Sequence, residues 1–224
     1  MEYISVAIDG PSGAGKSTVA RAVAARMGYV YVDTGAMYRA IGLAVYRRGI
    51  TGEDTAGIIA SLPTVDISLA YQDGMQHVLL NGEDVSEAIR TPEIAQYASK
   101  VSAVPEVRRF LLDVQRDMAK NSNILMDGRD IGTVILPDAP VKIFLTASAK
   151  TRAERRYREL KEKGQQVTLE GVLADIQARD RQDTTRAVAP LRQADDAVLL
   201  DTSALDLEQS IAAVLRIIRE KTER

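Results

Sequence analysis

The segment from Gly10 to Thr18, which reads GPSGAGKST, constrains this chain more than any other feature. It follows an apolar run, Ile4 to Ile8, and it opens an alanine-rich stretch that reaches Met27, so it has the setting of a phosphate-binding loop between a strand and a helix. Glycines let the backbone turn its N–H groups inward, and the helix N-terminus adds partial positive charge. The sequence therefore predicts a nucleoside triphosphate site with loop contacts at Gly10, Pro11, Ser12, Gly13, Ala14, Gly15, Lys16, Ser17 and Thr18.

Two side chains of this loop are predicted to carry its chemistry. Lys16 is expected to reach the β- and γ-phosphates, and the Ser17 hydroxyl is expected to bind Mg²⁺. Asp127, which follows the apolar run 124–126, suits a contact to a metal-bound water, with Asp33 as the competing carboxylate. For each of the two, capping of a helix or turn is the alternative. The predicted cofactor is Mg²⁺, bound with the triphosphate.

Composition limits the classes of protein to which the chain can belong. With 224 residues, 46% of them hydrophobic, it is predicted to form one compact domain, 1–224, that carries insertions. The 29 basic residues nearly balance the 31 acidic ones, and there are 2 Phe and no Trp, so nucleic acid is not an expected partner. The absence of cysteine excludes disulfides and thiol catalysis and fits a reducing compartment. We expect a cytoplasmic protein without a signal peptide, a membrane span or an obligate protein partner.

Short apolar runs alternate with helical patterns along most of the chain. The runs predict strands that are buried on both faces, at Ile4 to Ile8, Val30 to Val32, Ile124 to Met126, Val141 to Leu145 and Ala197 to Leu200. The helical patterns lie at Lys16 to Met27, Ala36 to Arg47, Glu106 to Lys120 and Leu207 to Lys221, the last of which opens with Asp206 and Gln209 at capping-box spacing. This alternation predicts an α/β fold with a parallel sheet.

Two segments interrupt this alternation and are interpreted as insertions. Residues 64–83 alternate with period two around Gln72-Asp-Gly74, which predicts a small antiparallel hairpin. Residues 150–164 are highly charged and are interpreted as a lid, with candidate arginines at Arg152, Arg155, Arg156 and Arg158. For any one of these arginines the alternative is a solvated helix held by pairs such as Arg155 with Glu159.

The polar residues at the predicted strand ends favour an anionic acceptor. His77, the only histidine, lies in the hairpin, so the chemistry cannot depend on imidazole. Arg39 and Arg129 follow two strands at the edge where open α/β sheets bind ligands, and with Arg186 they are suited to grip a phosphate. Transfer of a phosphoryl group to a phosphate monoester needs charge neutralisation and alignment rather than a base. The monoester has its second pKa at about 6, so its attacking oxygen is already ionised near neutral pH.

Four blocks in this order, 10–18, 33–39, 127–133 and 186–191, resemble the bacterial cytidylate kinases, and the resemblance covers nearly the whole chain. It implies a three-layer P-loop kinase fold with a five-stranded parallel sheet, an antiparallel acceptor-binding insert at 63–100 and a helical lid at 148–188. It also implies transfer of the γ-phosphoryl group of ATP to CMP or dCMP, which gives CDP or dCDP plus ADP.

The resemblance also assigns roles to individual residues. The acceptor nucleotide would be bound by Thr34, Tyr38, Arg39, Ser99, Arg108, Asp127, Arg129, Asp130, Arg179, Asp183 and Arg186. Within this set Ser99, Arg108 and Asp130 would read the cytosine edge, whereas Asp183 and Arg179 would contact the ribose. The catalytic cations would be Lys16, Arg129, Arg186, Arg155 and Arg156. Thr34 stands where the family often has serine, and this change keeps the hydroxyl.

Three other functions remain possible at this point. A P-loop kinase of a hydroxyl group, similar to shikimate or gluconate kinases, would use Asp33 as its base. A GTP-operated switch would use Asp54-Thr-Ala-Gly57, which has D-x-x-G spacing, although the chain has no N-K-x-D sequence to read guanine. A nucleotide-binding protein without catalysis is disfavoured by the intact Lys16 and Ser17 and by the set of arginines.

Overall fold

The computed structural model describes residues 3–72 and 75–223. Its strands are β1 (Ser5–Asp9), β2 (Val30–Asp33), β3 (Ile67–Gln72), β4 (Met75–Leu80), β5 (Glu83–Asp84), β6 (Ile124–Gly128), β7 (Val141–Thr146) and β8 (Val198–Asp201). Its α-helices are α1 (Lys16–Met27), α2 (Thr34–Arg47), α3 (Thr55–Ser61), α4 (Pro92–Val101), α5 (Pro105–Met118), α6 (Ala149–Glu162), α7 (Leu169–Thr185) and α8 (Leu207–Thr222). A π-helical turn, Ile131–Ile135, follows β6.

A five-stranded sheet has the order β2-β6-β1-β7-β8 and confirms the predicted fold class. The central strand β1 runs parallel to both β6 and β7, and β7 runs parallel to β8. In this register Ile8 lies opposite Asp127, and Asp9 lies opposite Gly128. The phosphate-binding loop after β1 and the polar block after β6 therefore leave the same edge of the sheet, side by side.

The antiparallel insert is also present, with the strand order β3-β4-β5. Its first strand begins at Ile67 rather than at Val65, because a 3₁₀ turn, Leu62–Thr64, precedes it. The short strand β5 was not predicted, since two residues are too few to show a period of two. The hairpin turn was predicted at Gln72-Asp-Gly74, and its residues Asp73 and Gly74 lie outside the described residues.

The chain divides into two compact units, each with its own hydrophobic core. One unit comprises the chain up to Tyr31 and again from Ser122 onward, and the other comprises Val32–Asn121. In the first, α1 and α8 pack on β1 and β7 around buried aliphatic side chains. In the second, α2 packs against α4 over a core that includes Met37 and Ile41 of α2 and Leu111 of α5.

Most helix boundaries agree with the sequence patterns. Helix α1 has the predicted bounds, and Asp206 and Gln209 form the capping box of α8. Helix α5 begins one residue early, at Pro105, since proline suits the first turn of a helix, and it ends at Met118 rather than at Lys120. Among the described residues, no helix combines the length and the apolar character that crossing a membrane requires.

Candidate active site

The phosphate-binding loop adopts a conformation that only its glycines allow at two positions. Gly10 has φ of 154°, and a Cβ there would overlap the carbonyl oxygen of Leu145. Gly15 has φ of 86° and lies immediately before α1, which begins at Lys16. The loop thus ends in the free N–H groups of a helix N-terminus, which is a suitable place for phosphate oxygens.

Lys16 is buried inside this loop. Its Nζ donates to the carbonyl oxygen of Pro11 at 2.8 Å. Burial, followed by repulsion from Arg129, lowers the pKa of Lys16 to about 7, although nearby carboxylates oppose this shift. A bound polyphosphate would bring negative charge to this ammonium and favour its protonated form.

Ser17 and Asp127 form a pair of oxygen ligands suited to Mg²⁺. Ser17 Oγ donates to Asp127 Oδ2 at 2.9 Å, and the hydroxyl of Tyr31 donates to Asp127 Oδ1 at 2.8 Å. Within residues 3–72 and 75–223, no three His, Cys, Asp or Glu side chains cluster to hold a metal ion by themselves. This donor set fits Mg²⁺, which commonly takes one or two protein oxygens and completes its shell with water and substrate phosphates.

Asp9, which was not among the predicted site residues, links the loop to the block after β6. Its Oδ1 accepts from the backbone N–H of Ile131 and its Oδ2 from that of Gly132, both at 2.7 Å. Asp9 is the residue immediately before Gly10, and its two partners begin the π-helical turn. Its carboxylate therefore holds together the two segments that contribute most of the predicted site residues of this unit.

Replacing Asp9 with asparagine is expected to change how stability depends on pH. Burial raises the pKa of Asp9 from 3.8 to about 6, although the N–H groups of Gly132 and Ile131 oppose the rise. Because the folded chain then holds the proton more tightly than the unfolded chain, the free energy of unfolding falls as the pH rises through this interval. This difference in the pKa of Asp9 corresponds to about 3 kcal/mol in the free energy of unfolding.

Urea denaturation of both proteins between about pH 4 and pH 7 checks this. Relative to the unmodified protein, Asp9→Asn should gain up to about 3 kcal/mol across that range. A difference that does not change with pH would show that folding does not raise the pKa of Asp9.

A buried group of acidic and basic side chains brings together the predicted residues of the later blocks. Arg129 Nε donates to Asp183 Oδ2 at 2.7 Å, and Arg186 lies 3.6 Å from Asp130 and 4.0 Å from Asp183. Burial opposes ionisation of Asp183, but Arg129, Arg179 and Arg186 together hold its pKa below the usual value. We call Arg129, Asp130, Arg179, Asp183 and Arg186 the buried arginine–aspartate cluster.

The other unit brings together a second part of the predicted set. The guanidinium of Arg108 lies 5.5 Å from the ring centroid of Tyr38, and it donates to the carbonyl oxygen of Ser102 at 3.2 Å. Thr34 is buried at the start of α2, and Ser99 lies half-buried on α4.

Asp33 acts as the cap of α2, which was the alternative considered for it. Its Oδ1 accepts from the Ala36 N–H at 3.0 Å, and its Oδ2 lies 3.9 Å from Arg39. The D-x-x-G sequence has a similar explanation, since Asp54 caps α3 by accepting from the Gly57 N–H at 2.9 Å.

The charged helix α6 contains arginines of different kinds. Arg152 is buried and is bound by the carbonyl oxygens of Ala147 and Ser12 and by the carboxylate of Asp180. Arg155 donates to the carbonyl oxygens of Thr202 and Leu205. Arg152 therefore holds the phosphate-binding loop through the carbonyl oxygen of Ser12, and Arg155 lies near Gly15.

The pair of Arg155 with Glu159, which was the example given for the alternative of a solvated helix, is not the pair that Glu159 forms. Glu159 instead binds Arg156 and Lys163, each at 2.8 Å, and these side chains are largely exposed. The physical reason is that Arg155 is anchored by the two backbone carbonyls, which leaves Glu159 to its neighbours at positions i−3 and i+4.

Comparison with known proteins identifies the family. The family model described as cytidylate kinase matches residues 6–220. The chain belongs to this family. The match confirms the resemblance drawn from the four sequence blocks, and it disfavours the switch and the hydroxyl kinase.

Individual relatives agree with the family match. A cytidylate kinase of Caldanaerobacter subterraneus is 51% identical over 98% of this chain and 96% of its own. A cytidylate kinase of Syntrophotalea carbinolica is 49% identical over 97% of this chain and 93% of its own. Among solved structures, an uncharacterised protein from Eubacterium ventriosum shares the fold, with a TM-score of 0.52, 14% identity and full coverage of both chains.

Three site-forming residues of this family member were missed by sequence reasoning. Asp9 binds backbone N–H groups more than a hundred positions away, so no side-chain spacing reveals it. Tyr31 lies within an apolar run and looks like an ordinary strand residue. Asp180 gave no signal because its partner, Arg152, lies on a different helix.

Proposed function

We propose that the protein catalyses transfer of the γ-phosphoryl group of ATP to CMP or dCMP, which yields ADP and CDP or dCDP. The observation that carries this function is the family match over residues 6–220, supported by relatives at about 50% identity over almost the whole chain. The protein is thus an ATP-dependent nucleoside monophosphate kinase, a transferase.

The donor phosphates bind in the loop from Gly10 to Thr18. Its N–H groups and the start of α1 bind oxygens of the polyphosphate, and Lys16 neutralises charge that builds up on the bridge between the β- and γ-phosphates. Mg²⁺, when bound with ATP, would supply further charge neutralisation, held by Ser17 and, through water, by Asp127.

The acceptor phosphate is already an anion, so the transfer needs no protein base. An oxygen of CMP forms the new bond to the γ-phosphorus while the bond to the bridging oxygen of ADP breaks. Arg129 and Arg186, both in the buried arginine–aspartate cluster, lower the repulsion between the two phosphates and fix the angle of approach. Arg155 and Arg156 are proposed to add positive charge from the lid.

The base and the sugar are read by the remaining residues. Asp130 accepts from the cytosine amino group, and Ser99 and Arg108 satisfy the ring nitrogen and the carbonyl. Asp183 and Arg179 bind the ribose. Thr34, Tyr38 and Arg39 complete the acceptor site, in which Tyr38 supports the guanidinium of Arg108.

Larger segments have matching proposed roles. Residues 63–100 form the acceptor-binding insert, and 148–188 form the lid, in which α6 and α7 pack on each other around Ala153, Leu160, Val172 and Ile176. We place the reaction in the cytoplasm, as the cysteine-free composition favours. Its partners are the small molecules ATP and CMP or dCMP.

A coupled assay of ADP release with MgATP and each monophosphate tests the proposal. CDP and dCDP should form, and kcat/KM for CMP should exceed that for UMP by at least about 100-fold, because uracil places a carbonyl where Asp130 needs a donor. Failure to make CDP from MgATP and CMP would overturn the function. Equal use of CMP and UMP would remove Asp130 from its role.

A further inference from the structure

The carboxylate of Asp127 receives a hydroxyl group on each of its oxygens. Ser17 donates to Oδ2 and Tyr31 donates to Oδ1, at 2.9 and 2.8 Å. Asp127 itself is only 3% exposed, at the end of β6. A carboxylate can only accept, so both hydroxyl protons point toward it.

This direction of the protons matters for the serine. A hydroxyl has one proton and two lone pairs, and the Ser17 hydroxyl uses its proton in the hydrogen bond that it donates to Asp127. The lone pairs of Oγ are then available to a cation. This arrangement requires that the carboxylate of Asp127 does not rotate about its Cβ–Cγ bond, because rotation would move Oδ2 away from the Ser17 hydroxyl.

Tyr31 is well placed to prevent that rotation. It lies on β2, next to β6 in the sheet, with 7% of its surface exposed. The guanidinium of Arg21 lies 5.6 Å from its ring centroid, a favourable cation–π position. A rigid ring fixed in this way presents its hydroxyl to Asp127 Oδ1 from one direction.

We propose that Tyr31 is a positioning residue for the metal-binding side of the phosphate-binding loop, acting by orienting Asp127 and, through it, the Ser17 hydroxyl. This inference rests on the proposed function, since it takes Ser17 and Asp127 as the protein groups that face Mg²⁺. It adds a residue that does not itself touch the metal or the nucleotide. Partners of metal-binding groups commonly change metal affinity by about 10- to 100-fold when they are lost.

Tyr31→Phe tests the inference by removing one oxygen atom and keeping the ring. The matched control is Tyr29→Phe, two positions earlier, where the ring packs against the same hydrophobic core without contributing to the site. The main measurement is the affinity of the protein–ADP complex for Mn²⁺, which replaces Mg²⁺ in this assay. The concentration of free Mn²⁺ is determined from its electron paramagnetic resonance signal. The second is binding of ADP in the presence of a chelator.

For Tyr31→Phe we expect affinity for Mn²⁺ in the ADP complex to fall about tenfold, and the Mg²⁺ concentration for half-maximal activity to rise by a similar factor. Binding of metal-free ADP should change by less than about twofold, because the loop contacts remain. Tyr29→Phe should change neither. A melting temperature within about 8 °C of the unmodified value shows that the fold is kept.

Two results would overturn the inference. Unchanged Mn²⁺ affinity in Tyr31→Phe would reduce the tyrosine to a structural hydrogen-bond donor. An equal loss of metal-free ADP binding would mean that the loop itself had moved. Failure of the proposed function is distinguishable from both, because it would appear as an absence of CDP in the assay of the unmodified protein.

Discussion

Lys16→Met is expected to lower kcat for CDP formation at least about 100-fold, which corresponds to about 3 kcal/mol of transition-state stabilisation. Methionine keeps the buried stem and removes the ammonium group, with its charge and its hydrogen bond to the Pro11 carbonyl oxygen. Lys16 Nζ lies inside the phosphate-binding loop, where it donates to the Pro11 carbonyl oxygen at 2.8 Å. We propose that in the complex it faces the bridging oxygen, which gains negative charge as its bond to the γ-phosphorus breaks. Initial rates at saturating MgATP and CMP measure the loss.

The same substitution is expected to leave the fold as stable as before. Burial lowers the pKa of Lys16 from the ordinary lysine value of 10.5 to about 7 in the folded chain. The free energy of unfolding therefore rises with pH between these two values, because the folded chain no longer carries a buried charge. Lys16→Met lacks this rise, and at about pH 7 its free energy of unfolding should equal or exceed that of the unmodified protein.

The control is Lys120→Met, an exposed lysine paired with Asp117, which should affect neither rate nor stability. A Lys16→Met protein that loses activity and unfolds more easily would point to a structural role for the lysine. A protein with nearly full activity would contradict the assignment of Lys16 to the phosphates.

The phosphate-binding loop and the sheet could be predicted because their causes are local. Glycines at fixed offsets determine the loop, and continuous apolar runs correctly indicate that β1 and β6 are buried on both faces. The same prediction is wrong for β8, which lies at the edge of the sheet and leaves Leu199 exposed. Helix α4, which was not predicted, also has a local signal: Thr91 accepts from the Ile94 N–H, and Pro92 occupies the first turn.

What could not be predicted depends on contacts between distant segments. The two carboxylate oxygens of Asp9 are satisfied by backbone N–H groups, which are present at every residue and therefore leave no mark in a sequence. In α6, the run of arginines gives the charge but not the direction of each side chain. Only the fold shows that Arg152 turns inward to Asp180 while Arg156 remains at the surface.

Arg129→Ala is expected to lower kcat/KM for CMP about 1000-fold, or about 4 kcal/mol, with less than about a threefold change in KM for ATP. Arg129 is the charge that most strongly favours ionisation of Asp183, to which its Nε donates at 2.7 Å. Its loss removes the guanidinium proposed to bind the acceptor phosphate, and it also removes the partner of Asp183, the carboxylate proposed to bind the ribose. Steady-state kinetics with each substrate varied separate the two sides.

Arg129→Lys distinguishes charge from geometry. Lysine keeps the positive charge but cannot bind a carboxylate and a phosphate through a planar fork, so we expect it to recover only about tenfold of the lost kcat/KM. Arg26→Ala is the matched control, because Arg26 also binds a carboxylate, that of Glu208, but on an exposed surface. It should retain full activity.

Equal increases in KM for ATP and for CMP after Arg129→Ala would indicate that this arginine contacts both nucleotides rather than the acceptor alone. Full activity of Arg129→Lys would show that charge alone suffices. The expected intermediate result follows from the chemistry of the proposed reaction. Two anions must be aligned as well as neutralised, and a guanidinium held by Asp183 is suited to do both.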